Sequence, residues 1–359
     1  GQNGCFGVSV YLLFDPRAGV MSFGEYRVIY LGGMGRSGST LAERLLGELP
    51  HVCVAGELVH LWQRCVTDNE RCGCGKPFGD CEFWSAVGES AFGGWSNVDV
   101  RRVAELRASV DRNRFIPQLA RRSLPARLGC DLAEYMNYYR RLYGAISQVS
   151  GCSTVVDSSK HPSLAFCLSR GDLPDLRVIH VVRDSRAVAY SWTTRVQRPE
   201  APGGSYMTTY SPIRASSEWI MQNASLGLLA RSQTPVLRVR YEDLVSEVKP
   251  TLRRICEYAG LSVEESELGF VGGGESEQWA ELRQAHTAAG NPMRFATGKI
   301  TISKDDRWQT AMPGGQRRTV TALTLPLLSL YGYAGVLGGP SRFAPRPATP
   351  ASTASGGTP

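Results

Sequence analysis

The sequence has no long hydrophobic run, no strong excess of one charge and no internal repeat. The longest apolar run near its start, residues 8–14, is far shorter than a membrane span, and no Lys or Arg precedes it as in a secretory signal. The 40 basic and 33 acidic residues give a net charge of +7, which is too weak and too dispersed for a dedicated nucleic-acid binder. These absences argue against stable membrane insertion, a nucleic-acid partner and a solenoid.

The composition is that of an ordinary globular chain of 359 residues, with 42% hydrophobic and 20% charged residues. Its ten cysteines would pair in a secreted protein, but several lie in segments typical of buried strands or helices, where a free thiol behaves as a small hydrophobe. We therefore expect a protein of the reducing cytoplasm. Residues 1–24 are expected to form a disordered or peripheral arm, and residues 338–359, rich in Pro, Ser, Thr and Ala, a disordered tail.

Short Val- and Ile-rich runs alternate with helix-compatible segments along residues 25–337. The runs at 27–31, 154–156, 177–182 and 236–239 are the predicted strands. Such alternation is typical of a parallel sheet with crossover helices, so we predict one α/β domain with a P-loop-like, three-layer fold and about four or five strands. The predicted helices cover residues 39–49, 101–110, 131–149, 185–195, 214–230 and 250–259.

The first predicted strand runs into the glycine-rich segment GGMGRSGSTL. A strand-to-helix turn of this kind directs backbone N–H groups and a helix N-terminus at a phosphate. Gly33, Gly38 and Thr40 fit the pattern G-x-x-x-x-G-K-[ST] of nucleoside triphosphatases, but Ser39 stands where that pattern has its lysine. The loop is therefore predicted to hold a different phosphate chain, with Arg36 supplying the cation. The alternative is a turn that binds nothing.

A second segment of interest, VIHVVRDSRAVAYS, contains the end of the third predicted strand and the polar residues that follow it. Arg183 ends the strand, Asp184 is a good N-cap, and Ser191 lies on the helix that follows. The carboxyl ends of strands in open α/β sheets face the ligand crevice, so Arg183 and Ser191 are predicted to hold a second phosphate. A surface ion pair between Arg183 and Asp184 is the alternative.

Together the two segments resemble the sulfotransferases that use 3′-phosphoadenosine 5′-phosphosulfate (PAPS). GMGRSGSTL is similar to the family's 5′-phosphosulfate loop, and RDSRAVAYS to its 3′-phosphate motif. The arginine in the loop is the variant of the Golgi carbohydrate and tyrosylprotein sulfotransferases and of bacterial relatives. The resemblance implies a PAPS donor, a PAP product and no metal. The cofactor contacts it implies are Gly35, Arg36, Ser37, Gly38, Ser39, Thr40, Arg183 and Ser191.

Further segments extend the resemblance to the catalytic residues. VAGELV is similar to the segment that carries the proposed base of the tyrosylprotein enzymes, and Glu57 matches that base. VVDSSKHP resembles the segment whose lysine contacts the transferring sulfuryl group, and Lys160 matches it. His161, beside Lys160, is the second candidate for the base. Arg36 completes the expected catalytic set.

Two segments near the carboxyl end resemble the strand and the cofactor-covering loop that close the family's site. The strand segment is RVRYEDLV, in which Tyr241 is assigned to the cofactor. The loop segment is GNPMRFATGKITISKDDRW, in which either Arg294 or Lys299 is expected to contact the 3′-phosphate. The acceptor should be met by loops at residues 65–84, 92–143 and 195–210, which carry no recognisable motif.

The resemblance implies sulfuryl transfer from PAPS to a hydroxyl or amine of a small-molecule, glycan or lipid acceptor. Two alternatives belong to other classes: a P-loop kinase or other ATP-dependent phosphotransferase, and a non-catalytic nucleotide-binding protein. Ser39 in place of the lysine argues against the first. Arg36, Glu57 and Lys160 argue against the second, because a pure binder needs no base beside the transferred group.

Four cysteines and one aspartate remain to be interpreted. Cys65, Cys72, Cys74 and Cys81 form C-x₆-C-x-C-x₆-C, which departs from the paired C-x₂₋₄-C spacing of structural zinc sites. We therefore expect a free-thiol loop near the acceptor cleft and no metal, with a zinc site as the less favoured alternative. Asp157 could serve a magnesium ion but is expected to cap a helix that begins near residue 158.

Overall fold

The computed structural model describes residues 25–195, 197, 206–232, 234–274 and 277–333. The predicted arm at 1–24 and the predicted tail at 338–359 lie outside these residues. No helix within the described part of the chain is long and apolar enough to cross a bilayer.

A five-stranded parallel sheet forms the centre of the molecule, in the order β2-β3-β1-β4-β5. Its strands are β1 (Arg27–Gly32), β2 (Val52–Gly56), β3 (Thr154–Lys160), β4 (Asp175–Val182) and β5 (Val236–Arg240). The predicted α/β fold with four or five parallel strands is thereby confirmed. Sequence reasoning missed β2, whose five residues VCVAG show neither a long apolar run nor clear alternation.

Helices cover both faces of the sheet, as the alternation of side chains in β1 requires. Val28 and Tyr30 point into one buried cluster, whereas Ile29 and Leu31 point into another. The α-helices are α1 (Ser39–Leu46), α2 (Glu82–Phe92), α3 (Val100–Val110), α4 (Ile116–Leu119), α5 (Ala126–Ser150), α6 (Pro162–Arg170), α7 (Ser185–Thr193), α8 (Pro212–Leu229), α9 (Tyr241–Ser246), α10 (Val248–Ala259), α11 (Trp308–Ala311) and α12 (Gly314–Leu330).

A small antiparallel sheet of β6 (Val271–Gly273), β7 (Gln278–Leu282) and β8 (Gly298–Ile302) packs beside the central one. The segment between β7 and β8 attaches to the end of β2. Ala288 N–H donates to Ala55 O at 2.8 Å, and Glu57 N–H donates to Ala289 O at 3.1 Å. This attachment brings residues near position 290 to the carboxyl edge of the central sheet.

Asp157 does not cap a helix, and that prediction was wrong. It lies within β3, and the next helix begins at Pro162. Its buried carboxylate accepts hydrogen bonds from Ser159 N–H at 2.8 Å and from the Tyr143 hydroxyl at 2.6 Å. Burial raises the pKa of Asp157 to about 6 despite these bonds. The residue therefore ties α5 to the central sheet.

Candidate active site

The loop between β1 and α1 has the backbone conformation that its glycines allow. Gly33 and Gly38 have φ angles of 145° and 90°. A Cβ atom at Gly33 would lie 2.3 Å from Val181 O, and one at Gly38 would lie 2.5 Å from Tyr241 Cδ2. Gly38 has no side chain to cap α1, so the N–H groups of the first turn are left for an anion.

A cavity of about 690 Å³ opens at the carboxyl edge of the central sheet. One predicted residue at or just after the end of each strand lies in the cavity wall, because parallel strands all end at the same edge of the sheet. Arg36 follows β1, Glu57 follows β2, Lys160 ends β3, Arg183 follows β4 and Tyr241 follows β5.

Most of the predicted site residues come together in this cavity. Ser37, Arg294 and Lys299 are not among its lining residues. Ser37, within the loop, is buried, and its hydroxyl has no hydrogen-bond partner among the described residues. The predicted residues that line the cavity are Gly35, Arg36, Gly38, Ser39, Thr40, Glu57, Lys160, His161, Arg183, Ser191 and Tyr241.

Arg36 is a cation without a counter-charge in the described part of the chain. Its guanidinium lies 5.4 Å from the centre of the Trp192 ring, and Nη2 contacts Met207 Sδ at 3.4 Å. Burial lowers the pKa of Arg36, and its buried Nε has no hydrogen-bond partner among the described residues. A partly desolvated arginine with spare donors is suited to bind an anion.

Arg183 is held from several sides and is only 6% exposed. Its Nη1 donates to Arg36 O at 3.2 Å, its Nη2 lies 3.3 Å from Asp305 Oδ2, and its guanidinium lies 4.3 Å from the centre of the Tyr241 ring. The alternative ion pair with Asp184 is not formed. Asp184 instead caps α7 by accepting the Arg186 N–H at 2.8 Å.

Glu57 and Lys160 form an ion pair in the cavity wall. Lys160 Nζ donates to Glu57 Oε1 and, at 3.2 Å, to Ser158 O. Burial by itself would raise the pKa of Glu57, but the positive charge of Lys160, with smaller contributions from His60 and Arg64, holds this pKa below its ordinary value. Glu57 is therefore ionised at neutral pH and able to accept a proton.

The backbone at Arg36 and at Lys160 is in the left-handed region. Their φ angles are 74° and 71°, which are uncommon for residues other than glycine. Four such residues occur in the described part of the chain, and two of them are these cavity cations. Strained backbone of this kind clusters at functional sites, because surrounding structure must enforce it.

Two histidines lie beside the ion pair. His60 Nε2 is 3.6 Å from Glu57 Oε2, and the rings of His60 and His161 meet edge to face with centres 5.7 Å apart. Burial lowers the pKa of both imidazoles, that of His60 to about 3, so both are neutral near pH 7. Sequence reasoning did not place His60 in the site, although its position three residues after Glu57 was an available signal.

Arg294 and Lys299, the two candidates for the 3′-phosphate contact, do not line the cavity. Arg294 is 1% exposed and donates to the carbonyl oxygens of Thr287 at 3.0 Å and Ala288 at 2.6 Å. Lys299 Nζ lies 4.2 Å from the centre of the Trp279 ring in the small sheet. Neither side chain reaches the cavity wall, whereas Arg183 lines it.

Only part of the loops predicted to meet the acceptor lines the cavity. Among the described residues, none from 65–84 or 92–143 lines the cavity, whereas several from 206–210 do. Tyr210 stacks on Trp192 with ring centres 4.3 Å apart and planes 9° from parallel. This aromatic pair lines the wall together with Asn291 and Met293 from the segment predicted to cover the cofactor, and the stacking itself was not predicted.

Glu43 fixes the strand ends that carry the ion pair. This carboxyl is 2% exposed in α1; Oε1 accepts the Gly56 N–H at 2.7 Å and Oε2 accepts the Ser158 hydroxyl at 2.8 Å. Gly56 immediately precedes Glu57, and Ser158 lies two residues before Lys160. Burial raises the pKa of Glu43 to about 7, although both hydrogen bonds oppose this.

The raised pKa of Glu43 predicts a pH-dependent stability. The folded chain holds this proton up to about pH 7 and the unfolded chain only to about 4.5, so the free energy of unfolding should fall as pH rises through this window. Glu43→Gln should remove roughly 3 kcal/mol of that fall, as measured by urea unfolding between pH 5 and pH 8. Glu105→Gln on exposed α3 is the control. Equal slopes for parent and Glu43→Gln would contradict the assignment.

Comparison with known proteins gives a match to one family model, over residues that include most of the central sheet. The profile of a family described as "Sulfotransferase family" matches residues 29–265. Human carbohydrate sulfotransferase 3 is 27% identical over 173 residues, which cover 44% of this chain and 34% of that protein. The match thus spans about a third of the length of this curated relative.

Two solved structures are also similar. The sulfotransferase domain from the Synechococcus PCC 7002 olefin synthase is 19% identical, with a TM-score of 0.43, covering 84% of this chain and 94% of that one. Mouse sulfotransferase SULT7A1, solved in complex with PAP, is 10% identical with a TM-score of 0.38, and 84% of this chain and 85% of that one are covered.

Proposed function

The chain belongs to the sulfotransferase family, and from this premise we propose that it transfers the sulfuryl group of PAPS to a hydroxyl or amine of a small-molecule, glycan or lipid acceptor. The observation that carries the proposal is the joint placement of Arg36, Arg183, Glu57 and Lys160 in one cavity. The site then combines two arginines for anionic groups with a base and a further cation.

The cavity fits a cofactor with two separate anionic groups. We propose that Arg36, Ser39, Thr40 and the first-turn N–H groups of α1 hold the 5′-phosphosulfate, because these donors surround one turn. Arg183 and Ser191 would hold the 3′-phosphate. The spare buried donors Arg36 Nε and Arg183 Nε support this fit.

The ion pair suggests how base and cation cooperate. PAPS, when bound, supplies the sulfuryl group and its leaving oxygen. Lys160 would neutralise charge at that oxygen, while Glu57 takes the proton of the acceptor. Turning Lys160 away from Glu57 removes the charge that lowers the carboxyl pKa, so Glu57 becomes a stronger base when the cation is engaged.

The test of the proposed function is nucleotide selectivity, measured by calorimetry with PAP, ADP, ATP and GTP. PAP should bind most tightly because ADP lacks the 3′-phosphate. Arg183→Ala should weaken PAP about 10- to 100-fold and leave ADP nearly unchanged, since one charge-assisted contact contributes about 1.5–3 kcal/mol.

Arg177→Ala is the matched control. Arg177 lies on β4, the strand that Arg183 follows, and its Nε donates to Asp175 at 2.9 Å outside the cavity. Its loss should leave PAP binding unchanged. Equal affinity of the parent for ADP and PAP, or preferred binding of ATP, would contradict the proposal and favour a phosphotransferase.

A further inference from the structure

Three cysteines and one histidine converge at a place outside the cavity. Cys72, Cys74 and Cys81 lie in the segment before α2, and His286 lies in the segment after β7. The four possible ligand atoms, three Sγ and one imidazole nitrogen, all lie within 4.8 Å of one another. The sulfur atoms are 3.7 Å apart for Cys72 and Cys81 and 3.8 Å apart for Cys74 and Cys81, much longer than the roughly 2.05 Å of a disulfide.

The separations among Cys72, Cys81 and His286, and between Cys74 and Cys81, are close to those of a tetrahedral zinc site. Zn–S bonds of about 2.3 Å at tetrahedral angles place two sulfurs about 3.8 Å apart, and a Zn–N bond of about 2.0 Å places the nitrogen about 3.5 Å from each sulfur. His286 Nδ1 lies 3.2 Å from Cys81 Sγ and 3.9 Å from Cys72 Sγ, on either side of that distance. The ligand atoms therefore already surround a point suited to zinc.

The surrounding backbone holds these ligands in place. Gly73 N–H donates to Thr287 O at 2.8 Å, and a Cβ atom at Gly73 would lie 2.4 Å from Thr287 Oγ1, so this close approach requires glycine. The Phe83 ring stacks on the His286 imidazole with centres 5.1 Å apart, which fixes its orientation.

We propose that Cys72, Cys74, Cys81 and His286 bind one structural zinc ion. Binding releases the three thiol protons to solvent, and His286 coordinates through the Nδ1 lone pair of its neutral ring. Four protein ligands leave no open position, so the ion is structural and takes no part in sulfuryl transfer.

This proposal reverses the expectation of a metal-free thiol loop. Cys65, the fourth cysteine of the sequence pattern, is 1% exposed in the main hydrophobic core and is not part of the cluster. The fourth ligand is instead His286, which lies 205 residues after Cys81. The spacing of the cysteines alone could not reveal this ligand.

The zinc ion would join the cysteine segment to a wall of the cavity. The chain continues from His286 to Ala289, whose carbonyl accepts the Glu57 N–H, and then to Gly290, which lines the cavity. Arg294 crosses between the two segments and donates to Arg71 O at 2.6 Å. Loss of the ion should therefore loosen the support of Glu57.

The test uses the full chain, purified under reducing conditions after expression with added zinc. Elemental analysis should give one zinc per chain. Replacement of the zinc by Co²⁺ should produce the thiolate-to-cobalt charge-transfer absorption of a tetrahedral site. Cys81→Ser and His286→Ala should lose both signals, whereas Cys152→Ser, which removes a half-buried cysteine outside the cluster, should retain them.

Several outcomes would overturn the zinc site. These are a parent protein that stays free of zinc after reconstitution, a Cys74–Cys81 disulfide found by mass spectrometry of the alkylated parent, or His286→Ala with full metal content. Metal content and the cobalt spectrum of the parent decide the question even if a variant fails to fold. Neither measurement depends on turnover or on the identity of the donor, so failure of the proposed function would leave this result standing.

Discussion

Glu57→Gln is expected to lower kcat by about 10²–10⁴-fold while PAP affinity stays nearly intact. Glutamine keeps the size of the side chain and can accept a hydrogen bond from Lys160, but it cannot take the acceptor proton. The wall residues proposed to hold the 3′-phosphate, Arg183 and Ser191, are unaffected by the change. Steady-state turnover with PAPS, paired with calorimetry of PAP, separates the two effects.

The control for this prediction is Glu134→Gln, on the exposed side of α5, where Glu134 pairs with Arg102. It should turn over at the parent rate. His161→Ala tests the competing base, because His161 also lines the cavity and burial keeps its ring neutral. If Glu57→Gln is active at nearly the parent rate and His161→Ala is inactive, the base is His161.

The sequence was sufficient to predict the placement of residues that follow strands within short contiguous motifs. The loop carrying Arg36 and the segment carrying Arg183 each join a strand to a helix, so their positions at the sheet edge follow from the parallel fold. Glu57 was predicted as a site residue from the resemblance, although β2, the strand before it, was not predicted. Helix α12 was missed because Pro326 lies inside it, and proline ordinarily ends a helical pattern.

Residues that act through distant partners could not be predicted. A buried arginine that satisfies backbone carbonyls, such as Arg294, has the same residue type as one that binds a phosphate, and the choice depends on three-dimensional packing. His286 joins the cysteines only because β7 brings its following segment beside Gly73. The role of Glu43, on α1, likewise depends on contacts with the strands β2 and β3.

Lys160→Met should reduce kcat by about 10²–10³-fold and also shift the pH profile. Methionine fills a similar volume without the charge, so the leaving oxygen loses its cation and Glu57 loses its closest counter-charge. Burial then acts on Glu57 with less opposition, and its pKa should rise. Since the base must be ionised, the acid limb of kcat/KM should move to higher pH. Kinetics over a pH series, with buffers of constant ionic strength, measures both effects.

The shift of the acid limb distinguishes this mechanism from a loss of structure. A misfolded variant would lose activity at every pH in the same proportion, whereas removal of a charge beside the base changes the shape of the profile. Lys249→Met is the control, because Lys249 lies on α10 and faces Glu265 at 3.4 Å on the surface. Its profile should match that of the parent. If Lys160→Met lowers kcat without moving the acid limb, Glu57 is not the titrating base.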